Sequence, residues 1–164
     1  MAFLETFNAA LERALLALFS VLFGVMIVDV MIQVVSRNTG VPILWTLDLA
    51  QLMFSWCIFL GAAVGVRRGV HYVIVLFPDH MWRTNAALKL VSAAAIALVS
   101  LVMLRYGFAF SRMGASTEVE SLGISQYWYF LPIPLSGLLI MLFLVEITLK
   151  DLQKLFSATD RTGR

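Results

Sequence analysis

Four long apolar runs, separated by short polar breaks, make up most of the chain. Residues 14–36 hold one charge, Asp29, and residues 45–66 hold one, Asp48. Residues 86–110 hold Lys89 near their start and Arg105 near their end, and residues 121–145 hold none. A helix rises about 1.5 Å per residue, so roughly 20 residues cross the hydrocarbon of a bilayer. Each run is close to that length. Backbone groups cannot stay unpaired in lipid, and the period-two alternation of a membrane barrel is absent, so the runs predict helices. The expected fold is an all-α integral membrane protein, a single domain of four transmembrane helices at about 14–36, 45–66, 86–110 and 127–149.

Smaller elements are less determined by pattern. Phe3, Leu4, Phe7, Leu11 and Leu15 recur at helical spacing, with Glu5, Asn8 and Glu12 between them. This segment is either a short helix lying in the membrane interface or an extension of the first span. Residues 72–82 are also apolar and amphipathic and contain Pro78, which predicts a surface-lying connection. Pro132 and Pro134 fall near the start of the fourth span, where proline can begin or bend a helix at limited cost. The tail beyond Lys150 is polar and reads as a fraying helix end.

Composition supports lipid as the solvent. Of 164 residues, 61% are hydrophobic and only 13% charged, too much apolar surface for so short a chain to bury against itself. A net charge of +2 with no basic stripe gives no sign of nucleic-acid binding. The first charge is Glu5, so no basic leader precedes the first apolar run, and the N-terminus is expected to stay in place. One cysteine, Cys57, excludes an internal disulfide, a paired-cysteine redox motif and a cysteine-built metal site. No cofactor is expected. The two histidines, His71 and His80, lie in the connection after the second span, with neither the position of haem ligands nor a nucleophile motif beside them.

Orientation follows from the basic residues. With both termini in the cytoplasm, nine lysines and arginines fall inside and three, Arg37, Arg105 and Arg112, outside. Trp45 and the cluster Tyr127-Trp128-Tyr129 then mark where the second and fourth helices enter from the outer face.

Polar residues within spans usually face protein. Asp29, Gln33 and Arg37 stand at i, i+4 and i+8 on the first helix; Asp48, Gln51 and Ser55 stand at i, i+3 and i+7 on the second. Either stripe can line an ion path or, as is commoner in a small four-helix protein, serve helix packing. Asp29 and Arg105 fall at similar depth, about 24 Å from Arg13 and Lys89 respectively, so they are expected to neutralise each other unless Arg105 snorkels outward to lipid head groups. Gly61 and Gly65 form a G-x-x-x-G that predicts a close helix contact. Arg67 and Arg68 mark the cytoplasmic boundary, where guanidinium groups meet phospholipid phosphates or a partner's carboxylates, with His71 just beyond. Glu146 and Lys150 form an i, i+4 pair of structural character.

Residues 33–78 are similar to the DctQ-type small membrane subunit of tripartite ATP-independent periplasmic (TRAP) transporters. The resemblance rests on Gln33 and Arg37, Trp45 and Asp48, Leu60-Gly61-Ala62-Ala63, Arg67-Arg68 and His71, with a weaker likeness over 116–142. Leu47 and Val70 stand where the family often carries an acidic and a polar residue. Membership implies a non-catalytic protein of a bacterial or archaeal inner membrane that braces a much larger membrane subunit. It implies an extracytoplasmic substrate-binding protein as further partner, an organic anion such as a dicarboxylate or sialic acid as cargo, and a sodium gradient as driving force. On that view the outer loop at 111–126, with Glu118 and Glu120, either touches the binding protein or is simply solvated. The alternative is an autonomous proton-coupled four-helix transporter using Asp29.

Overall fold

The computed structural model describes the backbone of residues 2–41, 43–69 and 82–162 and the side chains of 5–41, 43–69 and 88–149. It is built of α1 (Ala2–Thr39), α2 (Trp45–Arg67), α3 (Trp82–Met113), a short hairpin of β1 (Glu118–Val119) and β2 (Ile124–Ser125), α4 (Tyr127–Phe130) and α5 (Pro132–Thr162). Four stretches are long and apolar enough to cross a membrane: Glu5–Thr39, Trp45–Arg67, Leu88–Ser116 and Tyr127–Leu149. The N-terminal amphipathic segment is an extension of the first span, since α1 runs unbroken from Ala2. The connection at 72–81 with Pro78, together with His71 and His80, lies outside the described residues.

Local chemistry sets the helix ends. Gly40 and Gly69 have φ of 75° and 71°, a left-handed conformation that only glycine takes at no steric cost, and each follows the last turn of a helix. At the second stop Arg68 N–H donates to the Val64 carbonyl at 3.0 Å and Gly69 N–H to the Val66 carbonyl at 3.1 Å, using up carbonyls that α2 would otherwise leave open. Pro132 is the first residue of α5, as its missing N–H favours. The loop at 111–126 is built of regular structure: Ser111–Met113 belong to α3, Gly114–Ser116 form a 3-10 turn, and a hairpin pairs Glu118 with Ser125 and Val119 with Ile124.

The helices stand in a row. α2 packs against α1 on one side and α5 on the other, and α3 packs on the far side of α5, so the spatial order is α1–α2–α5–α3. On α1 a line of residues withdrawn from solvent, from Asn8 through Glu12, Leu15, Phe19, Leu22, Met26, Asp29 and Gln33 to Ser36, alternates spacings of four and three. That is the 3.5-residue period of knobs-into-holes packing. The seam is apolar in its middle and polar at both ends. The core at its centre joins Leu15, Leu60, Ala63, Val64, Val66, Leu139, Ile140 and Phe143.

The tightest crossing is between α3 and α5, through glycines other than Gly61 and Gly65. A Cβ on Gly137 would lie 2.8 Å from the Ser100 carbonyl oxygen and 2.9 Å from Leu104 N; one on Gly107 would lie 2.8 Å from Ile133 Cγ2 and 3.0 Å from Pro134 N. Here backbone meets backbone, which only the smallest residues allow. At Gly61 a Cβ would meet only the Phe19 ring, at an ordinary 3.5 Å. Gly61 of the G-x-x-x-G therefore receives an aromatic side chain from α1.

Candidate functional site

Polar residues gather at the two ends of the row. At the end where α2 stops, Arg67 reaches into the bundle. Its Nε lies 2.8 Å from Glu12 Oε2 and its Nη1 lies 3.1 Å from Glu146 Oε2. Arg68 Nε meets the other oxygen of Glu12 at 2.7 Å. Asn8 Nδ2 donates to Glu146 Oε2 at 2.6 Å, and the Arg67 guanidinium sits 5.1 Å from the centre of the Phe143 ring. Two arginines and two glutamates balance in charge and join α1, α2 and α5. Only 13% of the Arg67 side chain and 6% of that of Glu146 remain exposed, so these ions are largely withdrawn from water.

This geometry corrects one expectation. Arg67 serves internal carboxylates and not lipid head groups; Arg68, though more exposed, also spends its Nε on Glu12. Glu146 faces Arg67 and Asn8 across the bundle, and the side chain of Lys150 lies outside the described residues. Asn8, Glu12 and Glu146 were not singled out as a site from sequence. Asn8 and Glu12, four apart in an apolar helix, and a lone acid inside the last apolar run were the available signals.

At the opposite end the joining is neutral. Pro132 has no N–H, which leaves the Trp128 carbonyl without its helical donor; Trp56 Nε1 on α2 donates to it at 3.0 Å. Ser55 Oγ donates to the Tyr129 carbonyl at 2.8 Å, and Tyr129 Oη donates back to the Asp48 carbonyl at 2.9 Å. Ser121, in the hairpin turn, donates its hydroxyl to the Asp48 carboxylate. Asp48 and Ser55, predicted as one stripe, thus meet α4 and the hairpin, while Gln51 and Trp45 of the same helix are exposed.

The stripe on α1 divides. Ser36 closes the turn to α2, donating to the Val41 carbonyl and accepting from Ile43 N–H at 3.2 Å. Gln33 and Arg37 line a recess of about 380 Å3 beside it, together with Ser36, Gly40 and Ile43. Asp29 is 2% exposed, and neither carboxylate oxygen has a hydrogen-bond partner. The expected pairing with Arg105 does not occur. α2 and α5 stand between their helices, and Arg105 points outward from α3, with its guanidinium 6.0 Å from the Tyr106 ring centre. Similar depth along two helices was not enough, because the two occupy opposite edges of the row.

The polar chemistry is therefore spent on holding helices together at both ends. Against known proteins, residues 26–154 match the model of the family described as tripartite ATP-independent periplasmic transporters, DctQ component. The chain belongs to this family. It is accordingly a transporter component and not an enzyme, and a multi-pass protein of the inner membrane. Among its relatives is the sialic acid TRAP transporter small permease protein SiaQ of Vibrio cholerae, 28% identical over 119 residues, which are 71% of this chain and 64% of that protein. Another is the sialic acid TRAP transporter permease protein SiaT of Haemophilus influenzae, 28% identical over 136 residues, which are 79% of this chain but only 21% of that protein. The matches span less than two thirds of either relative's own length.

Proposed function

We propose that this DctQ-family chain is the non-catalytic small subunit of a TRAP transporter and braces a larger membrane subunit that moves the substrate. The observation that carries this is the stitching of the row at both ends, by the Glu12–Arg67–Glu146 ions and by the Trp56, Ser55 and Tyr129 hydrogen bonds. A row fixed at both ends, with broad apolar outer surfaces, suits a static partner better than a moving gate. The Haemophilus relative supports a larger partner, since the stretch similar to this chain is one fifth of a single longer permease polypeptide. The cargo is an organic anion, a sialic acid or a dicarboxylate, delivered by an extracytoplasmic binding protein and driven by sodium. The relatives' names favour sialic acid within that class. Both termini face the cytoplasm, as the distribution of lysine and arginine favours.

Affinity purification of the tagged chain from native membranes in mild detergent tests this. A stoichiometric many-span membrane protein is expected with it; a chain that emerges alone or only with itself contradicts the reading. The buried, unpartnered Asp29 favours one competitor, an autonomous proton-coupled transporter. Liposomes holding this chain alone are expected to show no proton-coupled uptake. In the assembled transporter Asp29→Asn is expected to leave the uptake rate within about twofold of wild type, a difference worth less than about 0.5 kcal/mol in barrier height.

A further inference from the structure

The geometry points to the outward face of α3, centred on Arg105, as the surface that the larger membrane subunit covers, with a carboxylate of that subunit paired to the Arg105 guanidinium. This rests on the subunit reading above and adds to it a face, a charge and a depth.

Two edges of the row are open to such a partner, α1 and α3, and they differ in chemistry. Between Arg13 and Arg37 the one ionisable side chain of α1 is Asp29, which is buried, so the exposed surface of that stretch is uncharged and suits acyl chains. On α3, Arg105 is exposed among Leu98, Leu101, Val102, Tyr106 and Phe108, all of them also exposed. Among the described residues of α3 it is the one exposed charged side chain that lies well inside the ends of the span, and it has no ion pair among them.

Depth makes this placement costly in lipid. The Phe110 ring packs against Phe130 with centroids 4.4 Å apart, and Tyr127 and Trp128 lie just beyond Phe130 at the start of the fourth span. Such aromatics mark the membrane interface. Arg105 is five residues further in, about 8 Å by helical rise. A guanidinium rooted there among apolar side chains is stabilised by a partner that brings an anion. The aromatic neighbours fit as well, since arginine and aromatic side chains are enriched at the centres of protein interfaces. α3 is also the span that its own chain covers least, 6% buried against 50% for the fourth span.

The test uses the co-expressed pair of membrane subunits. A photo-crosslinking residue, p-benzoylphenylalanine, is placed at Val102 on α3 or at Val28 on α1, both exposed. Adducts to the large subunit are expected from position 102 and not from 28. Adducts from 28 alone, or from neither while the subunits still co-purify, overturn the proposal. Failure of the wild-type chain to bring the large subunit down overturns the subunit reading itself, and so the two failures are distinguishable. In parallel, Arg105→Glu is expected to lower recovery of the large subunit about tenfold or more. Arg105→Lys should keep most of it, and an Asp or Glu changed to Arg in the crosslinked segment should restore it. Size-exclusion profiles of the variants check that the chain itself stays folded. Undiminished recovery with Arg105→Glu means that lipid phosphates, not the large subunit, hold Arg105, and overturns the proposal.

Discussion

At the end of the row where α2 stops, α1, α2 and α5 are joined by charge; at the end where α5 starts, α2, α4 and the hairpin are joined by neutral donors, on carbonyl oxygens and on the Asp48 carboxylate. The first arrangement is concentrated. Arg67 serves two glutamates at once, and Glu146 also holds Asn8, so each side chain depends on the others. The second is distributed over Trp56, Ser55, Tyr129 and Ser121, each with a separate acceptor. Largely buried ions are held by mutual compensation, and removing one leaves the rest uncompensated. A lost neutral bond costs only itself. The two ends therefore differ in how they fail, though both fix α2 to the fourth span.

The sharpest way to break this contrast is Arg67→Ala, which removes the cation that Glu12 and Glu146 share and leaves two carboxylates facing Arg68 alone among the arginines of the network. It is expected to lower stability by about 3–5 kcal/mol, read from denaturant unfolding in detergent. Adding Glu12→Gln and Glu146→Gln to the same chain should recover part of that loss, because the excess negative charge disappears. Full additivity of the three changes would refute the network. Next in size is Gly137→Val at the α3–α5 crossing, where the new side chain meets backbone atoms. It is expected to cost about 1–3 kcal/mol, and a shift in thermal midpoint checks it. At the neutral end, Trp56→Phe keeps a ring but withdraws the donor from the Trp128 carbonyl, for about 1 kcal/mol. Ser55→Ala should be the mildest, about 0.6 kcal/mol, the mean found for hydrogen bonds between membrane helices. A Ser55→Ala loss equal to that of Arg67→Ala would erase the distinction between the ends.

The four spans were legible because lipid leaves few solutions: apolar runs of sufficient length must be helices. The start of α2 at Trp45 was legible from the apolar run that begins there, whereas Pro132, read as beginning or bending a helix, begins α5 and separates it from α4. What pattern could not supply was the order of helices in space. Depth alone suggested Asp29 with Arg105, and only the row α1–α2–α5–α3 shows them on opposite edges. The charged network was hidden for a related reason. Arg67 and Glu146 are 79 positions apart, and each has a satisfactory local explanation, one as a membrane boundary and the other as half of an i, i+4 pair. Spacing reports small residues but not what faces them: Gly61 meets the Phe19 ring, while Gly107 and Gly137, which form no G-x-x-x-G, bring backbones together. The two-residue strands β1 and β2 are too short for any periodicity to announce them.

As the proposed bracing subunit, this chain supports transport without performing it. Uptake of labelled sialic acid into proteoliposomes, with binding protein outside and an inward sodium gradient, tests it most directly. The membranes compared hold the large subunit with this chain, the large subunit alone, or this chain alone. Uptake is expected only when both membrane subunits are present. Sodium-driven uptake by this chain alone, or undiminished uptake by the large subunit without it, would rule out a bracing role.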